Sequence, residues 1–595
     1  MIKNLIEKCI HNRSLVIVLF IFVSLGAVFT LSISNIDAIP DIGENQQIVF
    51  TEWSGRSPKD IEEQITYPLS VELQGIPGVK DVRGMSAFGF STIYVIFKEG
   101  VDFYWSRSRL LEKLSTTKGV LPTGVSSKMG PDATGLGQVF WYTIENSTDN
   151  PHPKSLAELR SIQDFYLKFH LQSVEGVSEV ASIGGFVKEY QIDVDPKKIF
   201  AFDVHLTHLI KGIKNSNQDV GAEVIEEGGR EMVVRGLGFF KKLSDIEDVV
   251  IAVKNQTPIR VKDVARVSWG PSFRRGALDK NGQEAVGGVI TMRYGENPKK
   301  VIDRVKEKIE TIKRGLPKGV ELVPFYDRTE LIERTIGTVY KALTQEIIIT
   351  ILVILFFLLH FRSSLLVSLT LPLGIGISFI LMHLLKIDSN IMSLSGMVIA
   401  IGSMVDMGII MTENIYSELA NNPGVDEKKR IQLISKAAKE IGPAILTAVL
   451  TTIVTFMPVF ALEGAEGKLF GPLAWAKTFA MLGSVLVALF LIPSLAVYFL
   501  KGELKPIEKN KISSKIVSVY KKLLEKVLAR RKEFMMLPLL LLILAGVGFN
   551  FLGKEFMPSF NEGDVLYMPV STPDISMSKA RELLAYTDKV LKDHP

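Results

Sequence analysis

IMSLSGMVIAIGSMVDMGIIMTENIY, residues 391–416, is an apolar run with one aspartate, Asp406, in its middle. It is long enough to cross a bilayer, which takes about 20 residues of helix. A carboxylate near the centre of such a helix costs roughly 2.5–3.5 kcal/mol on insertion scales. Carboxylates are retained there where ions or protons move, so the run points to transport. Met397, Met404 and Met411 recur on it at seven-residue spacing, hence on one helix face. Glu413 follows Asp406 by the same spacing.

Six further runs of this kind flank it: Ser14–Ile33, Ile336–Leu359, Leu365–Leu385, Ile441–Leu462, Thr478–Leu500 and Phe534–Leu552. With 595 residues, 47% of them hydrophobic and concentrated in these runs, the chain reads as a polytopic α-helical membrane protein. The first run is longer than a signal-peptide core and no small-residue cleavage site follows it, so it reads as a retained anchor. Lys341 and Glu346 fall near the start of the second run and blur its outer boundary.

The net charge of +5 matters through its placement. Lys3, Lys8 and Arg13 precede the first run. Lys428, Lys429, Arg430, Lys436 and Lys439 follow the fourth, and Lys501–Lys532 holds eleven Lys and Arg. The intervening loops of the other side hold only Lys386, Lys468 and Lys477. The positive-inside rule places the basic segments in the cytoplasm and Ser34–Thr335 outside. KIVSVYKKLLEKVLARRK reads as an amphipathic helix on the inner membrane face rather than a nucleic-acid site. The expected order is 1–13 cytoplasmic helix, 14–33 first span, 34–335 outer region, 336–500 five spans, 501–533 basic amphipathic helix, 534–552 seventh span, and 553–595 a second outer segment. The single cysteine, Cys9, lies inside, so no thiolate metal site can form outside.

The outer region alternates strand and helix patterns. QQIVFTEW and STIYVIFKEG read as strands around the helical SPKDIEEQITYPLSVELQGIPGV, a βαβ-type unit. A second unit runs QVFWYTIEN, then SLAELRSIQDFYLKFHLQSV, then a strand in KEYQIDVDP. A Gly-rich, β-rich insertion near Gly221–Gly238 interrupts it. An internal repeat is also visible. LIEKCIHNR at Leu5–Arg13 matches LLEKVLARR at Leu523–Arg531, and Pro40 matches Pro558 at the same 518-residue offset. The chain therefore reads as the first half of an internally duplicated fold, with the second half barely begun.

A buried carboxylate has a raised pKa and can load and release protons near neutrality. Asp406 is thus a candidate proton relay and Glu413 an auxiliary one. A structural carboxylate and a helix-end polar residue are the plainer readings of the two. Gly396, Gly402 and Gly408, with Ser395 and Ser403, are expected to let neighbouring helices close over Asp406. The answering cation is not evident in any run and is expected in the missing half. Met382, Met392, Met397, Met404, Met407 and Met411 crowd one stretch, and Met481 adds another in the sixth run. Thioethers favour Cu(I) and Ag(I); they are also flexible packing groups, and spacing alone does not separate the two. EFMPSFNEGDVLYMPV adds Met557 and Met568 among Glu555, Glu562 and Asp564 outside. No phosphate-binding loop, HExxH or CxxC is present.

On the blocks IDAIPDIG, YWSRSRLLEKL, GPDATGLG, YDRTELI, NIMSLSGMVIAIGSMVDMGIIMTEN, LEGAEGKLFGPLA and NEGDVLYMP, the chain resembles the resistance-nodulation-division heavy-metal efflux transporters, and within them the copper/silver (CusA-type) subgroup. The resemblance implies an RND fold with a large periplasmic α/β (βαβ-type) porter region in the inner membrane. It implies Asp406 as the proton-relay aspartate, and Met392, Met404, Met411 and Met481 as methionines passing metal through the membrane. Met568 would be one of three periplasmic metal ligands, the other two lying past residue 595. Met382, Met397 and Met407 have no such match and are left as packing. The divalent-metal subgroup carries a second aspartate where this chain has Ala400. The resemblance further implies transported Cu(I)/Ag(I) and protons with no other cofactor, a homotrimer, a periplasmic adaptor and an outer-membrane channel, with the insertion near Gly221–Gly238 in the docking part. Divalent or organic cargo, and a non-transporting scaffold or sensor, are the alternatives.

Overall fold

The computed structural model describes every residue except 1, 35, 36, 38, 39, 255, 359, 360, 502, 503, 505–510, 554–566, 573, 574, 594 and 595. Seven helices among the described residues are long and apolar enough to cross a membrane: Arg13–Ile33, Arg328–Val353, Phe361–Leu384, Ile391–Ala420, Glu427–Ala461, Gly464–Phe499 and Arg531–Phe549. They are called the first to seventh membrane helices below. Lys341 and Glu346 do not interrupt the second, which continues unbroken from Arg328 to Leu358.

The fourth helix shows how the sequence sets its own limits. Asn390 caps it, its side chain accepting from the Met392 and Ser393 amides at 3.1 and 3.0 Å, while Ser393 Oγ accepts from the Asn390 amide at 2.8 Å. This reciprocal cap satisfies donors that the first helical turn leaves unpaired. The third, fourth and sixth helices pack into one apolar core with the first and fifth. A Cβ on Gly408 would stand 2.7 Å from Thr370 Cγ2, and one on Gly396 would strike the Leu473 carbonyl, so the helices cross there on bare backbone.

The chain forms two compact units. The membrane helices share the first with a four-stranded sheet of β1 (Gln46–Glu52), β2 (Val79–Ala87), β3 (Phe90–Phe97) and β4 (Ser127–Met129), ordered β2-β3-β1-β4. The helical stretch 58–74 starts at Ser57, whose side chain accepts from the Asp60 amide at 3.2 Å. Its apolar positions Ile61, Ile65, Leu69 and Leu73 are fully buried against Ile93 and Val95. STIYVIFKEG is a strand, but β3 runs antiparallel to β1. The strand that completes the βαβ turn is β2, and β3 lies between the two. The unit is a split βαβ.

The second unit is built on a sheet of β5 (Gln138–Asn146), β6 (Val177–Gly184), β13 (Leu278–Lys280), β14 (Gln283–Met292) and β15 (Val320–Asp327). Here too the expected pairing changes. β6 joins that sheet, whereas KEYQIDVDP forms β7 (Lys188–Val194) and pairs instead with β12 (Ala265–Pro271). The Gly-rich insertion is a hairpin of β8 (Val220–Glu227) and β9 (Arg230–Gly236), exposed along both strands, and β10 (Val250–Lys254) pairs with β11 (Thr257–Arg260).

The repeat is visible in the backbone. The helix Ile2–His11 breaks at Asn12 (φ −98°, ψ 38°) before the first membrane helix. The helix Lys511–Ala529 breaks at Arg530 (φ −114°, ψ 37°) before the seventh. Asn12 and Arg530 stand at the 518-residue offset, and so do the helical stretch 58–74 and the helix Met577–Asp593 within a residue.

In the second unit, Asp588 of the helix Met577–Asp593 accepts from the Gly282 amide at 2.7 Å and lies beside Asp279 of β13. Burial, and then the hydrogen bond and charge of Asp588, push the Asp279 carboxyl up to about 6. A folded pKa above the ordinary value of about 3.9 favours the packed state in acid. That contribution is complete below the ordinary value and is lost as pH rises through about 6. Amide protection factors over 577–593 should therefore fall between about pH 4 and 6 and level off above that, and Asp279→Asn should flatten the dependence. A pH-independent profile in the parent protein rules this out.

Candidate functional site in the membrane helices

Along the fourth helix the side chains divide cleanly by face. Met397, Met404 and Met411 are buried, 1%, 0% and 0% exposed, as their spacing requires. Met404 is held from two sides: its carbonyl accepts from Ser484 Oγ of the sixth helix at 3.1 Å, and its methyl lies 2.5 Å from where a Gly374 Cβ would stand. Met481 is buried in the same core, and Met392 is half-buried in the first turn after the cap. Met382 and Met407 share that core. Burial therefore does not separate the four methionines that the resemblance singles out from the three left as packing.

Asp406 lies elsewhere. It is exposed, on a stripe with Ile399, Gly402, Ile410 and Glu413. The expectation that glycines would close helices over it fails for a geometric reason. Six residues turn an α-helix by about 600°, so glycines at that spacing point in three directions about 120° apart. Gly396 and Gly408 meet neighbouring helices; Gly402 has nothing within 4 Å of its Cβ position.

Sequence reading also misplaced Lys477, which it assigned to a loop. Lys477 lies inside the sixth membrane helix, 8% exposed, with Nζ 3.3 Å from the centroid of the Phe456 ring and no ion pair among the described residues. Its aromatic surroundings, where Trp475 packs on Phe460 and Phe479, were the available signal. Met568 is 75% exposed, with no second sulfur beside it in the described segment. Met557, Glu555, Glu562 and Asp564 fall outside the described residues. Among the described residues no cluster of three or more His, Cys, Asp or Glu could hold a metal ion.

Between the ends of the helices and the sheet β1–β4 the first unit holds a cavity of about 1020 Å³. Its lining draws on four of the sequence blocks quoted above, with Asp37 and Gly43 of IDAIPDIG, Leu136 of GPDATGLG, Asn390 of the fourth-helix block, and Gly464 and Lys468 of LEGAEGKLFGPLA; arginines of two further blocks bond to GPDATGLG. Arg328, of YDRTELI, pairs with Asp37 of IDAIPDIG at 2.9 Å and donates to the Leu136 carbonyl of GPDATGLG at 2.5 Å. Arg107, of YWSRSRLLEKL, donates to the Gly130 carbonyl at 2.7 Å. The Gly464 amide, of LEGAEGKLFGPLA, donates to Glu99 at 3.1 Å, and Lys468 of the same block donates to the Gly43 carbonyl.

A family model described as the AcrB/AcrD/AcrF family matches residues 5–595. The cation efflux system protein CusA of Escherichia coli (strain K12) is 42% identical over the whole chain, which covers 57% of that protein. The putative cation efflux system protein SilA of Salmonella typhimurium is 41% identical at the same coverage. The cobalt-zinc-cadmium resistance protein CzcA of Cupriavidus metallidurans is 32% identical, with 56% of its length covered. A solved X-ray structure of a heavy metal efflux pump, crystal form I, superposes with a TM-score of 0.82 at 29% identity, over 99% of this chain and 57% of that one. The chain thus spans little more than half the length of the relatives it matches.

Proposed function

This chain belongs to the AcrB/AcrD/AcrF family of resistance-nodulation-division transporters, and from that premise we propose that it is the membrane and first porter part of a proton-driven exporter of Cu(I) and Ag(I). The observation that carries the cargo is the donor chemistry of the helix core. Met404, Met411 and Met481 are all but fully buried there, and Ala400 is equally buried where a second carboxylate would offer hard oxygen. The higher identity to CusA and SilA than to CzcA points the same way.

In this mechanism a soft ion captured outside, with Met568 among its ligands, or taken along the methionines Met392, Met404, Met411 and Met481, is released outward as Asp406 takes up and gives up a proton. Glu413, on the same exposed stripe, serves the inner end of the proton path. The cation that answers Asp406 comes from a helix packing onto that stripe. One proton crossing 100 mV supplies about 2.3 kcal/mol, which sustains roughly a 40-fold gradient of an ion captured outside. The working form is an inner-membrane homotrimer joined to a periplasmic adaptor and an outer-membrane channel, with the β8–β9 hairpin in the docking part.

The test is metal tolerance. A metal-sensitive host expressing the protein should gain tolerance to silver and copper salts and none to zinc or cobalt. A gain for zinc without silver overturns the cargo.

A further inference from the structure

The contacts at this cavity carry no part of the metal or proton chemistry above, yet they reach across as many as 425 residues of sequence. Those of Arg328, Gly464 and Lys468 join the end of a membrane helix to segments that lead into or out of the strands β1–β4. The second helix begins at Arg328, directly after β15 ends at Asp327, with no loop between them. The Arg328 side chain is 4% exposed, donates from Nη1 to the Leu136 carbonyl and stands at ion-pair distance from Asp37. The Asp37 amide donates to the Ser389 carbonyl at 2.9 Å. Ser389 precedes Asn390, the cap of the helix that carries Asp406. The sixth helix is fastened at a separate place, where Glu99 receives its first amide and Lys468 reaches Gly43.

Two attachment points leave a body free to swing about the line between them; three fix its orientation. We propose that Arg328, Asp37 and Glu99 form a joint that makes the β1–β4 subdomain move as one body with the second, fourth and sixth membrane helices, and that Arg328 is its central positioning residue. A shift of the fourth helix along its axis reaches Asp37 through a single hydrogen bond at Ser389, and reaches Arg328 through the ion pair. An arginine suits this place because its planar fork can hold a carboxylate and a carbonyl at once, which a lysine ammonium does less rigidly. The inference rests on the reading of the protein as a proton-driven transporter.

The experiment uses the protein at its native length, reconstituted in lipid, with Cys9→Ser and spin labels at Ser115 on the helix Phe103–Thr116 and at Asn421 at the inner end of the fourth helix. The distance distribution between the labels should be narrow in the parent and at least twice as wide in Arg328→Met. Arg328→Lys, which keeps the charge opposite Asp37, should return most of the narrowness. Silver export should fall at least tenfold in Arg328→Met while Ag(I) binding changes less than twofold. If Arg328→Met does not fold, Asp37→Asn replaces it, with the same widening expected. A distribution as narrow as the parent's in the folded variant overturns the joint, whatever the export rate. A parent that moves no silver sinks the cargo reading instead, and the width comparison still decides the joint.

Discussion

Asp406→Asn is expected to abolish proton-driven export, by at least about tenfold or 1.4 kcal/mol of lost driving interaction, without unfolding the protein. The substitution keeps the size of the side chain and removes only its titration. Asp406 is exposed on its helix. Exchanging a carboxylate for an amide in the middle of an apolar helix also lowers an insertion cost of roughly 2.5–3.5 kcal/mol. Stability should therefore hold or rise. A structural carboxylate predicts the reverse, a drop in thermal midpoint with activity falling in step. Proton-coupled silver flux in lipid vesicles, read beside the melting curve, separates the two. Export at the parent rate, or a loss that follows the melting curve, removes Asp406 from the mechanism.

Legibility in the sequence followed the range of the physics involved. The seven spans were readable because length and hydropathy act locally. So was the break at Asn12 and Arg530, because the same short segment occurs twice. β2 was missed: VKDVRGMSA is largely exposed and charged, and its strand state comes from pairing with β3. Lys477 was pushed into a loop because hydropathy scores a lysine against membrane, whereas the fold sets its ammonium on the Phe456 ring. The direction in which Asp406 faces was out of reach because glycines stand on different faces of that helix, Gly396 and Gly408 at packed crossings and Gly402 on the exposed stripe. The outer joint was hidden for a different reason. Its blocks could be recognised one by one, but that Arg328 meets Asp37, and Glu99 meets Gly464, is decided only by tertiary structure.

The methionines give the second large expectation, and because burial does not rank them, substitution must. Met404→Leu, Met411→Leu and Met481→Leu should each lower silver export by about tenfold or more, whereas Met382→Leu, Met397→Leu and Met407→Leu should each change it less than about twofold. The six side chains belong to one core, and a volume-conserving Met-to-Leu exchange there usually costs under about 1.5 kcal/mol. Stability should thus change by similar small amounts in both sets. What leucine cannot supply is a soft lone pair, and a soft monovalent ion that meets hydrocarbon instead of sulfur loses its ligand at that step. Met404 is the sharpest case: it is fully buried, and its backbone is tied to Ser484 while its methyl lies against Gly374. A leucine there fills the same space between the third and sixth helices. Silver efflux rates and melting curves across the six variants decide the matter. If both sets lose export equally, or in proportion to stability, the methionines are packing groups and the metal takes another path.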